Sequence, residues 1–480
     1  TILAELLRRG VRSLTFARTR KLTELIYMYC RDALVKNGQG ALAERLRPYR
    51  AGYLPEVRRD IEAQLFHGEL LGVVATTALE LGIDIGSLDA TVLTGYPGSI
   101  ASTYQQAGRS GRRGERSLSI LIGLDNPLDQ YFMHHPQALF GRPVENALLN
   151  PDNPHILRPH LLCAAYELPL AEKEQDIFGP GMLPLVAELE GAGLLRQQRG
   201  RWYPSATLPY PAEKVNLRSA SERAYTIWDT SQDRPLETVE AAVACLQVHP
   251  GAIYLHQGES YLITALDVGS RVAYARPADV TYYTQPRDLT ALRILRVLAE
   301  KAAGSSRAFL GEVEVTLRVT GFRKKQQFTE EVIGEEPLDL PPYTFTTTAL
   351  WFHTPPTPEL EQQGLDFAGG LHALEHAAIG LLPLFALCDR NDIGGLSHPA
   401  HPDTGGPEVF IYDGYPGGVG IAEKGYELVE ALWRATLELV RDCPCEEGCP
   451  SCVQSPKCGN NNQPLDKEAA RLLLTGLLGQ

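Results

Sequence analysis

Amphipathic helical stretches alternate with short apolar runs through the first 125 residues, the pattern of a parallel sheet crossed by helices. Val11 to Phe16 reads as a strand, and Thr19 is placed to cap a helix beginning near Lys21. Thr23 to Leu34 is amphipathic, Tyr49 to Pro55 is an irregular turn, and Glu56 to His67 is a charged helix. Leu70 to Thr76, Ala90 to Thr94 and Ser117 to Ile122 read as buried strands. The pattern then changes. Asn150 to Pro154 is a linker, followed by a helix from His155 to Tyr166, a glycine-closed helix from Leu183 to Leu195 and an aromatic strand from Arg201 to Tyr203. From about 216 to 350 a period of two takes over, with Ala252 to His256 and Ser260 to Leu266 flanking a turn as a hairpin. Val313 to Thr320 alternates in the same way. Leu371 to Leu387 is a strongly apolar helix, Glu408 to Asp413 a strand, and Gly414 to Gly420 a glycine loop that opens a helix from Ile421 to Leu439.

A chain of 480 residues is too long for one core, and the pattern divides it at 1–135, 136–215, 216–350 and 351–480. No apolar run reaches the roughly 18–20 residues that span a bilayer and no signal peptide opens the chain, so no membrane partner is expected; the cysteine usage described below points to a reducing cytoplasm. The first residues already read as a helix in progress, with no initiator methionine, as in a piece of a longer protein. The net charge of −13 speaks against a basic nucleic-acid binder, but it is unevenly spread. Residues 1–125 carry +4 and the rest −17, which leaves room for a local footprint on a phosphate backbone.

The chemistry concentrates in Gln105-Gln106-Ala107-Gly108-Arg109-Ser110-Gly111-Arg112. Two arginines three apart on a short helix share a face, and a guanidinium stays charged while gripping phosphate oxygens with its planar fork. Taken with Ser13 to Arg20 and with Ala75 to Gly86, this run resembles motifs IV, V and VI of superfamily 2 helicases, in the order of their second RecA-like domain. The resemblance implies Arg112 as arginine finger, Arg109 as a phosphate or cleft ligand, and Gln105 positioning the attacking water or linking to the DNA side. It further implies Gly82 and Asp84 facing the nucleotide, and Arg18, Thr19, Thr76 and Thr77 on the backbone phosphates of a tracked strand. ATP and Mg²⁺ are the implied cofactors. Neither a GxxxxGK[ST] loop nor a DExH sequence occurs, so the chain by itself is expected not to hydrolyse ATP.

Of nine cysteines, Cys30, Cys163, Cys245 and Cys388 lie singly in apolar surroundings and read as small buried hydrophobes. The other five, Cys443, Cys445, Cys449, Cys452 and Cys458, fall within sixteen residues and point to a metal rather than disulfides. A tetrahedral Zn²⁺ takes four thiolates, assigned most simply to Cys445, Cys449, Cys452 and Cys458 with Cys443 spare; an iron–sulfur cluster is the alternative. His372 and His376, four apart on a helix, have no evident third ligand and read as core or interface residues. Tyr282-Tyr283 and Arg323-Lys324-Lys325 read either as a stacking and gripping surface for single strands or as a core pair and a solvated turn. The glycine loop matches neither phosphate-binding spacing, so close backbone packing is expected there.

The glycine loop, the segment Cys443 to Asn460 and the motor half together resemble the group containing bacterial mitomycin-repair helicases and the fungal relatives of the human RecQ-family helicase linked to Rothmund–Thomson syndrome. The implied fold is multidomain α/β and α+β: a RecA-like parallel sheet, a winged-helix-like module, a β-rich module and a zinc-binding C-terminal domain. The implied activity is that of an ATP-dependent 3′→5′ DNA translocase in repair, acting as a monomer on single-stranded or 3′-tailed duplex DNA. An RNA helicase, or a non-catalytic zinc module that binds nucleic acid, is the alternative.

Overall fold

The computed structural model of the chain describes residues 1–50, 53, 55–81, 88–111, 116–145, 148–215, 224–256, 259–327, 329, 331–390 and 392–479. It forms two compact units. One joins Thr1–Asn146 to Gly380–Asp389 and Glu438–Gln454; the other joins Ala147–Ile379 to Arg390–Leu437 and Ser455–Gln480.

The first unit is built on strands β1 (Ser13–Ala17), β2 (Leu46–Tyr49), β3 (Gly72–Ala75), β4 (Ala90–Thr94) and β5 (Leu118–Ile122). They lie in the order β2-β3-β1-β4-β5, and every pair is parallel. A parallel sheet is covered on both faces, so its strands are apolar throughout instead of alternating. Val73 and Val74 point to opposite faces and both are fully buried. Val74 packs with Leu3 and Leu7 of the first helix and Cys30 and Leu34 of the second. Val73 packs with Ile61 and Leu65 of the Pro55–Phe66 helix. Thr19 caps the Arg20–Lys36 helix as its sequence position predicts, its Oγ1 accepting from the Leu22 N–H at 3.1 Å.

The Pro127–His134 helix carries the C-terminal pieces of this unit. Tyr131 donates to the Glu438 carboxylate at 3.1 Å, and His135 lies 3.6 Å from Asp442. The buried Asp129 accepts from the backbone of Tyr96 and Leu124, which holds that helix to the carboxyl edge of the sheet.

In the second unit the Pro154–Glu167 and Met182–Gly191 helices pack through Leu161, Ala165, Leu185 and Val186 against a small antiparallel sheet. That sheet consists of β6 (Leu170–Ala171), β7 (Leu195–Gln198) and β8 (Arg201–Pro204), helices followed by a wing. Next come β9 (Ala224–Asp229), β10 (Arg234–Glu240), β11 (Ile253–His256), β12 (Glu259–Asp267) and β13 (Val272–Pro277) in one five-stranded sheet.

The largest sheet is organised by β14 (Tyr282–Ala303) and β15 (Ser306–Gln326), which pair over most of their lengths across the Gly304-Ser305 turn. It is completed by β16 (Val332–Pro337), β17 (Tyr343–His353), β18 (Ile393–His398) and β19 (Glu408–Asp413). On β15, Val313 and Val315 turn inward to Trp351 and Phe410, while Glu312 and Glu314 turn outward to Arg296 and Arg293. This alternation sets the register, since a slip of one residue would bury the charges. Among the described residues no helix is long and apolar enough to cross a membrane.

Candidate functional site

The carboxyl ends of parallel strands gather the helicase-like residues. Phe16 of β1 lies beside Ala75 of β3, so Arg18 and Thr19 leave the sheet next to Thr76 and Thr77. Thr76 caps a short turn, its hydroxyl accepting from the Ala78 N–H at 3.5 Å. Like Thr19, it keeps its hydroxyl proton free to donate, because a capping oxygen only accepts. Thr77 is exposed. Arg18 is ion-paired, with Nη2 3.0 Å from Asp389 Oδ2.

Glu80 links the two helicase-like segments, and its role was not foreseen from sequence. It is only 8% exposed; Oε1 accepts from the Ser102 hydroxyl at 2.7 Å and Oε2 from the Gln106 amide at 2.8 Å. Its backbone carbonyl accepts from Arg109 Nε at 2.8 Å and also from Arg109 Nη2. Arg109, expected as a phosphate or cleft ligand, is turned onto its own lobe, where it bonds the carbonyl of Glu80. The physical reason is that a buried carbonyl in reach of a guanidinium leaves neither group to water. Gln105 is exposed. Arg112, Gly82 and Asp84 lie outside the described residues. The one sequence signal for this clasp was a carboxylate inside the apolar run Ala78-Leu79-Glu80-Leu81.

Glu80→Ala would strand the buried Gln106 amide and the part-buried Ser102 hydroxyl, each costing about 1–3 kcal/mol. Denaturant unfolding of the chain is expected to show a loss of about 3 kcal/mol, and a loss below about 0.5 kcal/mol would show the clasp to be loose.

At the end of the Val429–Asp442 helix four sulfurs converge. Cys443 Sγ lies 3.5 Å from those of Cys445 and Cys449, Cys445 lies 3.5 Å from Cys452, and Cys449 lies 3.8 Å from Cys452. Thiolates about 2.3 Å from one tetrahedral ion stand about 3.7 Å apart, so the spacing fits a single Zn²⁺. Sulfurs in mutual contact leave no room for a multi-iron core. Burial pushes the Cys452 and Cys443 thiols up, and a bound cation would hold both as thiolates. The Cys449 N–H points at Cys452 Sγ at 3.4 Å, and the Cys452 and Gln454 N–H groups both bond the Cys449 carbonyl, closing the knuckle.

This corrects the expected ligand set at one position. Cys443 joins Cys445, Cys449 and Cys452, while Cys458 lies in the other unit beside His372 and His376. The Cys-x-Cys pair can share one ion because Cys443 leaves a helix end and the two sulfurs, separated by Pro444, meet at 3.5 Å.

Two other features resolve toward packing. Asp413 is fully buried and accepts from the N–H groups of Val419, Gly420, Ile421 and Ala422, so an internal carboxylate fills the helix N-terminus that the glycine loop opens. Burial raises its carboxyl to about 6 despite these donors. Gly417 and Gly418 have φ of 78° and 73°, and a Cβ at Gly417 would strike Asn153, whose amide donates to the carbonyls of Pro416 and Gly418. On β15, Arg323 pairs with Glu335 and Lys324 with Glu336 of β16. Those two charges are neutralised within the sheet.

A parallel RecA-like sheet with helicase motifs at its carboxyl edge, a winged helix and a four-thiolate zinc centre define the C-terminal portion of a superfamily 2 helicase. Family models match accordingly: the helicase conserved C-terminal domain over residues 1–114, the winged helix domain of the ATP-dependent helicase HRQ1 over 149–220, and the MrfA Zn-binding domain over 374–453. The chain belongs to the helicase family that contains HRQ1 and MrfA. It is 39% identical to the uncharacterized ATP-dependent helicase YprA of Bacillus subtilis over 94% of its own length and 60% of the relative. It is 34% identical to the ATP-dependent helicase hrq1 of Schizosaccharomyces pombe over 100% and 47%. The crystal structure of helicase MrfA bound to DNA superposes with a TM-score of 0.62 at 37% identity, covering 98% of this chain and 62% of that one. The chain thus spans between about half and three-fifths of the relatives it matches.

Proposed function

We propose that this chain is the C-terminal motor half of an ATP-dependent DNA helicase that tracks 3′→5′ in DNA repair, and that it turns over ATP only together with a first RecA-like lobe. The observation that carries the reading is the Glu80 clasp at the carboxyl edge of the parallel sheet. It ties Glu80, at the end of the first helicase-like segment, to Ser102, Gln106 and Arg109 of the second, which supports a nucleotide site completed from this lobe.

In this reading Arg112 is the finger for charge developing on the γ-phosphoryl group, Gly82 and Asp84 face the nucleotide, and Gln105, exposed on the rim, positions the water. Arg109 acts through Glu80 as a positioning residue. Arg18, Thr19, Thr76 and Thr77, side by side at the strand ends, hold backbone phosphates of single-stranded or 3′-tailed duplex DNA without reading sequence. ATP and Mg²⁺ are shared with the first lobe, Zn²⁺ is structural, and the protein acts as a monomer. Support comes from the likeness to MrfA crystallised with DNA and AMPPNP, which superposes with a TM-score of 0.60 at 37% identity.

The test compares ATPase rates of the 480-residue chain and the intact protein, with and without DNA or RNA, and unwinding of 3′- and 5′-tailed duplexes. No turnover by the chain alone, DNA-stimulated turnover by the intact protein and unwinding of the 3′-tailed substrate are expected. Stimulation by RNA alone would make it an RNA helicase, and no stimulation by either would leave a non-catalytic module.

A further inference from the structure

The second unit contains a set of metal-ligand side chains outside the four-cysteine centre. His372 and His376 stand one turn apart on the Phe367–Leu381 helix, with ring centroids 4.3 Å apart. In the sequence His372-Ala373-Leu374-Glu375-His376 both imidazoles fall on one helical face, a spacing that lets a helix hold an ion from one side. Cys458 comes from a distant loop, its Sγ 3.5 Å from His372 Nε2. One ligand atom from each of the three residues lies within 4.8 Å of the others. Around a tetrahedral zinc, sulfur at about 2.3 Å and nitrogen at about 2.1 Å stand about 3.6 Å apart, so the thiol and the first imidazole are already at coordination spacing.

Second contacts orient the set. His372 Nδ1 lies 2.8 Å from the Pro464 carbonyl. A carbonyl only accepts, so Nδ1 carries a proton and Nε2 is the nitrogen turned toward Cys458, the orientation of a ligating histidine with its usual carbonyl support. The Cys458 loop is pinned independently. Asn462 Oδ1 accepts from the Ser455 N–H at 2.8 Å, the Cys458 N–H bonds the Ser455 carbonyl, and Lys457 Nζ donates to the Arg390 carbonyl. A thiol–imidazole hydrogen bond would account for Cys458 and His372 alone. The second, buried imidazole brings a further ligand atom within 4.8 Å of both.

We infer that His372, His376 and Cys458 form a second metal site, for a zinc-like divalent transition ion, separate from the centre at Cys443, Cys445, Cys449 and Cys452. Two imidazoles and one thiolate suit Zn²⁺ among the biological divalent ions, and three protein ligands leave one position for water. The Zn-binding family match, residues 374–453, contains neither His372 nor Cys458, so the assigned zinc centre does not include this set. Binding releases the Cys458 proton and ties the apolar helix to the loop that leads into the Lys467–Leu477 helix.

The test is metal content by mass spectrometry of the intact protein purified with zinc and without chelator, followed by Co²⁺ substitution. Two ions per chain are expected in the wild type. Cys458→Ser and His376→Ala should each leave one, with the intense sulfur-to-cobalt absorption of the four-thiolate site retained. Cys443→Ser should also leave one, now with the weaker charge-transfer band of a single thiolate. One ion per chain in the wild type, retained in Cys458→Ser and lost in Cys443→Ser, overturns the inference without needing any variant to be stable beyond purification. One ion lost in Cys458→Ser but retained in Cys443→Ser would instead sustain this site and remove the four-cysteine centre.

Discussion

Arg112→Ala in the intact protein is expected to lower the ATPase kcat by about a thousandfold or more, the range an arginine finger supplies, while leaving affinity for single-stranded DNA unchanged. The separation follows from placement. Arg112 follows in sequence the helix that the Glu80 clasp holds through Gln106, whereas the residues proposed for the DNA backbone stand at the ends of β1 and β3. Charge on a transferring phosphoryl group exists only in the reaction, so losing its partner affects kcat and not DNA binding. Stopped assays with saturating DNA, beside fluorescence anisotropy on a labelled strand, make the comparison. Wild-type turnover in the variant would remove Arg112 from the site, and a parallel loss of DNA affinity would place it on the nucleic acid instead.

Cys452→Ser is expected to release one zinc per chain and to destabilise the first unit by more than about 4 kcal/mol, the range reserved for lost metal ligands. In melting temperature that is about 10 °C for a unit of this size. Cys452 is wholly buried and its sulfur lies near those of both Cys445 and Cys449, so no other group can take its place. The effect should reach the motor lobe. The cysteine segment belongs to the same compact unit as the RecA-like sheet and is joined to it by Tyr131–Glu438 and His135–Asp442. Stripping zinc from the wild-type protein with a chelator should therefore slow DNA-stimulated ATP hydrolysis as well as lower the melting temperature. An unchanged ATPase in a fully stripped protein would show that the zinc segment merely flanks the lobe.

Particular residues show how far the sequence could be read. The hairpin expected between Ala252 and Leu266 is present as β11 paired with β12, because alternation along adjacent strands acts over a few positions. The glycine loop was expected to serve packing, and it does. What it packs around was not legible, because the Asp413 carboxylate and the N–H groups it accepts are joined only once β19 and the following helix meet. Lys324 and Arg323 read as an open alternative between grip and solvated turn; the acidic strand opposite them decided for pairing.

The sequence by itself determined the class of protein: the order and spacing of helicase-like motifs, the two-period and helical patterns that mark its modules, and the presence of a cysteine-bound metal. These are local properties, written in residues close along the chain. Which cysteines share an ion was a different matter. Spacing favoured Cys458 over Cys443, but the fold carries Cys458 away to two histidines more than eighty positions earlier, and turns Arg109 inward onto Glu80. Such choices depend on distances between segments remote in sequence, which local spacing does not contain and only the packed chain supplies.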